Sequence, residues 1–198
     1  MTEKELIKIF KDEKALLQGH FLLSSGLHSP QYMQCALVLQ KPPLAERLCR
    51  ELAKAVRPLE PGLVIGPALG GMIVSHELAR SLGVRSIFAE RVPAAAGGAG
   101  AFVLRRGFSL KRGERAVVVE DVVTTGKSSY EVIDLVEGAG ARVVGVAAIV
   151  DRSDGAAVFR EDFHALLKIN IKTYRPEQCP LCREGRVGLT KPGSRVFN

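Results

Sequence analysis

The sequence predicts an α/β fold, a mainly parallel sheet flanked by helices. Three observations predict it. Leu63-Val64-Ile65, Ala116 to Val119 and Arg142 to Val150 are apolar runs without polar alternation, as expected of strands buried on both faces. Helical patterns alternate with these runs, the order of a sheet built from strand-helix-strand units. Two strand-to-helix junctions open into turns rich in glycine or hydroxyl groups, at the sheet end where such folds bind ligands. At 198 residues the chain is expected to form one domain, residues 1–198, with a core that needs no disulfide or metal.

In chain order, Glu3 to Leu17 sets Leu6, Ile7, Phe10, Ala15 and Leu17 at near-helical spacing, with Thr2 as cap and Gly19 as stop. Phe21 to Tyr32 holds two β-like pieces around a Ser/Gly/Pro turn, which reads as a hairpin or loop. Pro42 and Pro43 begin a helix with Leu44, Leu48, Leu52 and Val56 on one face, ended by Pro58. After Leu63-Val64-Ile65, the turn Gly66-Pro67-Ala68-Leu69-Gly70-Gly71 leads into a helix to about Leu82, closed by Gly83. Ser86 to Ala89 is the next strand, and Glu90-Arg91 ends it. From Pro93 the chain is too rich in glycine, and too poor in polar periodicity, for a helix, so a mobile loop is expected. Tyr130 to Glu137 is helical and stops at Gly138, Arg142 to Val150 is a strand, and Phe163 to Ile171 is strand-like.

Composition narrows the classes. No window holds eighteen consecutive apolar residues, and the amino end MTEKELIKIFKDEKALL mixes charged with apolar groups, so no membrane span or secretory signal is expected. Four cysteines, with Cys35 and Cys49 isolated in apolar segments, suit a reduced, cytoplasmic setting. The net charge is +7, but Lys and Arg are scattered and aromatic residues are sparse, so nucleic acid is not an expected partner. Anionic small substrates account for the excess, as does an ordinary solvated surface. Cys179-Pro180-Leu181-Cys182 is a CxxC without a second pair, and His20, His28, His76 and His164 show no finger-like spacing, so no protein-held metal is assigned.

Ala116 to Tyr130, AVVVEDVVTTGKSSY, concentrates the chemistry. Thr124, Thr125, Gly126, Lys127 and Ser128 offer hydroxyls, backbone N–H groups and a helix start, which together suit a phosphate. The adjacent Glu120 and Asp121 would repel a phosphate but suit a ribose diol or the neighbourhood of a cation. A sugar phosphate is the ligand so implied. Gly126-Lys127-Ser128 imitates the end of a P-loop, but Asp121 stands where that pattern needs its first glycine. An ordinary turn of a parallel sheet is the plain alternative. Arg152, just past the Arg142–Val150 strand, is placed either to meet an anion or to form a salt bridge.

Acidic pair, two threonines, glycine and hydroxyl residue after an apolar strand resemble the phosphoribosyl-diphosphate (PRPP) motif of type I phosphoribosyltransferases. The resemblance implies that Glu120 and Asp121 hold the ribose hydroxyls, and that the stretch Val122, Val123, Thr124, Thr125, Gly126, Lys127 and Ser128 takes the 5′-phosphate. It makes Ala68, Leu69 and Gly70 the diphosphate loop, with only backbone donors where some relatives carry a lysine at Gly70. Phe21 to Tyr32 resembles the hood of orotate phosphoribosyltransferases, with Ser24 where many members have lysine, and the CPLC…KPGSR ending resembles one branch of that group. Within the resemblance Arg152 and Thr124 hold orotate, and Arg91 at the base of a flexible lid (about 91–104) touches diphosphate. No lysine or histidine stands between Val92 and Leu104, where orotate enzymes commonly place them. Implied overall is a type I phosphoribosyltransferase fold, with a small hood from about 19–40 plus the tail. The implied reaction joins PRPP to orotate, with Mg²⁺ held mainly by PRPP, in a homodimer. Two other readings stay open: a nucleotide-sensing regulator on the same fold that binds nucleic acid, and an enzyme for a purine or uracil.

Overall fold

The computed structural model describes residues 1–23, 25–93 and 100–192. In chain order the elements are α1 (Glu3–Asp12), β1 (Leu16–Leu22), β2 (His28–Met33), α2 (Ala36–Leu39), α3 (Pro42–Val56), β3 (Leu63–Pro67), α4 (Gly70–Leu82), β4 (Arg85–Arg91), β5 (Phe102–Val103), β6 (Arg115–Val123), α5 (Lys127–Gly138), β7 (Arg142–Asp151), β8 (Phe163–Lys168) and α6 (Pro180–Glu184). They divide between two compact units. One holds Met1 with Leu39–Ile169, and the other holds Thr2–Val38 with the chain from Asn170 onward.

The larger unit is a six-stranded sheet in the order β5-β4-β3-β6-β7-β8. Neighbouring strands from β4 to β8 run parallel, and only the edge strand β5 is antiparallel. Leu63, Ile65, Ala116 and Val118 pack with Val132, Ile133 and Val136 of α5 on one face. Side chains alternate along a strand, so Val64, Val117 and Val119, also buried, line the opposite face, where α4 packs on β3, β4 and β6, and α3 on β7 and β8. Both faces are covered, which is why the strands read as continuous apolar runs. Cys49 is buried where α3 meets α4, and burial pushes its thiol up to about 12; such a thiol stays protonated and inert.

In the smaller unit Thr2 caps α1 through a reciprocal pair. Its Oγ1 accepts from the Glu5 N–H at 3.3 Å while its own N–H donates to Glu5 Oε2 at 2.7 Å. β1 and β2 form an antiparallel hairpin whose register slips between Gln18 and Phe21. The tail adds isolated bridges, Phe21 to Thr190 and His28 to Tyr174.

Four expectations change. The opening helix stops at Asp12, because Lys14 takes a left-handed φ of 53° and Ala15 N–H turns back to Phe10 O at 2.7 Å. Leu16 and Leu17 then pair with Met33 and Tyr32, so they and Gly19 belong to a strand; a short apolar run fits either element, and the partner strand decides. The loop expected from Pro93 ends in a strand, since Phe102 pairs with Arg91 and Val103 with Glu90. The centre of the expected lid, residues 94–99, lies outside the described residues, as do Ser24 and residues 193–198. Helix α5 begins at Lys127, three residues before the periodic pattern. Among the described residues no helix is long and apolar enough to cross a membrane.

Candidate active site

Strand order fixes where a ligand can sit. The chain leaves β3 toward β4 on one side of the sheet and leaves β6 toward β7 on the other, although β3 and β6 are neighbours. Such a reversal opens a crevice at the carboxyl ends of the two strands. The turn at Ala68–Gly70 follows β3 and the turn at Thr124–Gly126 follows β6, so both glycine turns border this crevice. Two stretches more than fifty residues apart in sequence thus become one site.

The acidic pair lies on β6 itself, which continues to Val123. Alternation sends adjacent side chains to opposite faces. Asp121 turns toward the first loop: a Cβ on Gly70 would stand 2.5 Å from Asp121 Oδ1, so the carboxylate lies directly against the Gly70 backbone. Glu120 turns the other way, where Ser128 of α5 hydrogen-bonds it. Burial, reinforced by the Asp121 charge, pushes the Glu120 carboxyl up to about 8 against the pull of that hydrogen bond. Burial also raises Asp121, opposed by the Val122 N–H that donates to Oδ1 at 2.9 Å. Two acids held above their ordinary range at a strand end mark a functional site more than a structural one.

The second loop ends at Gly126, the N-cap of α5, with φ 75° and no side-chain cap bond. A Cβ there would lie 2.9 Å from the Tyr130 ring and 3.1 Å from Phe159, so the turn is built for glycine twice over. The start of α5 therefore presents N–H groups and the positive dipole end to the crevice, and Thr124, Thr125 and Lys127 around it are exposed. Helix α4 likewise starts without a side-chain cap, at Leu69, which is 82% exposed. The Ala68–Leu69 peptide leading into α4 is cis.

Arg152 follows β7, and its N–H donates to Val123 O at 2.8 Å, which brings it beside the loop that begins at Thr124. Its side chain is half-buried. Arg91 ends β4, where α5 and β5 hold its side chain. Its guanidinium pairs with Glu131 of α5 at 2.6 Å, stacks over Phe102 at 4.0 Å and donates to Gly100 O. Arg106 serves the same hairpin, paired with Glu90 at 2.8 Å. Glu131 is the residue that sequence reasoning missed. Its signal was its position four residues after Lys127, to which it lies at 3.9 Å.

The phosphoribosyl transferase domain model matches residues 38–181. The orotate phosphoribosyltransferase of Carboxydothermus hydrogenoformans is 53% identical over 193 residues, covering 96% of this chain and 97% of its own. That of Heliobacterium modesticaldum is 50% identical over 198 residues, covering 99% and 100%. Among solved structures, orotate phosphoribosyltransferase from Aeropyrum pernix superposes with TM-score 0.67 at 28% identity, over 83% of this chain and 93% of that one. A crevice at the strand-order reversal, an acidic pair and two uncapped helix starts occur here in a chain alike over nearly its full length to such enzymes; the chain belongs to the phosphoribosyl transferase family and, within it, to the orotate phosphoribosyltransferases.

Proposed function

We propose that the protein transfers the phosphoribosyl group of PRPP to orotate, giving orotidine 5′-monophosphate and diphosphate. The observation that carries this reading is the meeting of the two loops and the acidic pair at one crevice. One loop suits a diphosphate, the other a monophosphate, and the carboxylates between them suit a ribose diol. The 5′-phosphate sits on the N-terminus of α5, gripped by the backbone from Thr124 to Ser128. Asp121, beside Gly70, faces the diphosphate side, and Glu120 approaches from the other side of the strand end. Arg152 with Thr124 takes the orotate carboxylate through a planar fork.

Little covalent help is needed. The bond from ribose C1′ to diphosphate breaks as positive charge grows on the ring, so the protein contributes alignment and fixed charge. A Glu120 carboxyl poised near neutrality gains ionisation as cationic character develops beside it, and the charge stabilises that state. The oxygen-only donor set at the strand end, Glu120, Asp121, Thr124 and Thr125, fits a hard cation. Mg²⁺ held mainly by PRPP would neutralise the leaving diphosphate. A homodimer is supported by apolar residues at the surface of α4 and its neighbours, where Ile73 is exposed beside Met72, Phe88 and Phe108; sedimentation equilibrium measures it, and a monomer at assay concentration removes it. In that dimer Arg91 exchanges Glu131 for diphosphate.

The deciding experiment mixes the protein with PRPP, Mg²⁺ and each candidate base, and follows base absorbance. Orotate is consumed. Consumption of hypoxanthine, adenine or uracil with orotate untouched overturns the proposal.

A further inference from the structure

The smaller unit contains a second cluster of chemically competent side chains. His20 from β1, His28 from β2, and Cys179 and Cys182 from the tail converge so that four ligand atoms lie within 4.8 Å of one another. The CxxC stands more than 150 residues from the histidines, a separation no local spacing rule covers. We propose that these four residues form a closed tetrahedral site for Zn²⁺, which fastens the tail to the hairpin.

The distances carry the proposal. His20 Nε2 lies 3.0 Å from His28 Nδ1, 3.5 Å from Cys179 Sγ and 3.6 Å from Cys182 Sγ, and Cys182 Sγ lies 3.2 Å from His28 Nδ1. A zinc tetrahedron with bonds of about 2.0–2.1 Å to nitrogen and about 2.3 Å to sulfur has nitrogen–nitrogen edges of about 3.3 Å and nitrogen–sulfur edges of about 3.6 Å. These four of the six edges fall within about 0.4 Å of those values, and the other two are at most 4.8 Å.

Hydrogen bonding alone does not satisfy the cluster. His20 Nδ1 lies 3.2 Å from Val187 O, and a carbonyl only accepts, so Nδ1 carries the proton and Nε2 offers a single lone pair. Three groups crowd that one lone pair, two of them thiols. A cation at the centre gives each of the four atoms the same partner. The Val187 carbonyl then does what outer partners of zinc-bound imidazoles do, fixing tautomer and ring orientation.

The local fold is arranged for it. His20 sits in the irregularity where the hairpin register slips between Gln18 and Phe21, and a bulge re-aims a side chain. His20 O accepts from Thr190 N–H at 2.8 Å, and His28 exchanges two backbone bonds with Tyr174 at 2.8 Å each, so backbone contacts hold the tail alongside both ligating strands. His20, His28 and Cys179 are each at most 5% exposed. Two thiolates and two imidazoles select zinc over Mg²⁺, which takes oxygen. Four protein ligands leave no open coordination position, so the role is structural. Among the described residues of the tail the longest helix, α6, has only five residues, so a metal adds a cross-link to these backbone contacts.

Protein purified without chelator from zinc-supplemented cells is to be analysed for metal by mass spectrometry, with Co²⁺ exchange on the same sample. The expected result is about one zinc per chain, and a visible spectrum of tetrahedral thiolate-bound cobalt on exchange. A Cys179→Ser, Cys182→Ser double variant loses the metal, and a strong chelator lowers the melting temperature of the wild type but not of the variant. The wild-type metal content and cobalt spectrum need no variant to fold. Zinc-free protein whose thiols react at the same rate with and without added Zn²⁺ overturns the proposal, as does a Cys179–Cys182 disulfide in the freshly isolated chain.

Discussion

Replacing Glu120 by Gln removes a carboxyl that the fold holds far from its ordinary state. The unfolded chain releases this proton near 4.5 and the folded chain near 8. Between those values folding takes up a proton, so stability falls as pH rises, and above 8, with both states ionised, the loss is complete. At about 1.4 kcal/mol per tenfold change in proton affinity, the rise sets an upper bound of about 5 kcal/mol. Glu120 keeps some contact with solvent, and screening reduces this to about 2–3 kcal/mol. Gln resembles the protonated carboxyl in shape and carries no charge to desolvate. For a chain of this size each kcal/mol moves the melting temperature by about 2–4 °C. The variant therefore gains about 5–10 °C over the wild type between pH 5 and pH 9, while losing turnover. Scanning calorimetry in phosphate-free buffer measures it. Melting curves of wild type and variant that shift in parallel with pH would refute the assignment of a buried, raised carboxyl.

Two further perturbations test the site from either side. Arg152→Ala raises the orotate Michaelis constant about 10–100-fold, the loss of charged hydrogen bonds worth about 1.5–3 kcal/mol, and leaves that for PRPP near wild type; equal effects on both substrates count against the role. Gly126→Ala forces a Cβ into the Tyr130 and Phe159 rings at φ 75°, costing about 1–3 kcal/mol, read as a lower melting temperature with weaker PRPP binding, and an unchanged protein would show that the turn relaxes freely.

The sheet was legible because β3, β6 and β7 are buried on both faces, and their apolar runs have no competing reading. Helix α3 announced itself by Pro42 and Pro43 at its start and Pro58 at its end, and α4 by the glycine-rich turn before it and Gly83 after it. The acidic pair and its glycine loop were legible too, since local order along β6 and α5 is also spatial order. What escaped depends on partners distant in sequence. Leu16 and Leu17 became strand only because Tyr32 and Met33 lie opposite. Phe102–Val103 is too short to declare itself without β4. Arg91 gains Glu131 as a partner only when α5 folds beside the end of β4. The His20, His28, Cys179 and Cys182 cluster is the extreme case, because fold closure alone unites its halves.

The position of β6 carries one more consequence. It is paired on one side with a strand made before it, β3, and on the other with one made after it, β7. A nascent chain that has reached only α5 carries the whole acidic motif on an open strand edge, the kind of edge that recruits other chains. Arrival of β7 closes that edge, and the Arg152 N–H then bonds Val123 O at the mouth of the motif. Completion of the site and protection from misassembly are one event in synthesis, so slowing elongation beyond residue 140 is expected to expose both at once.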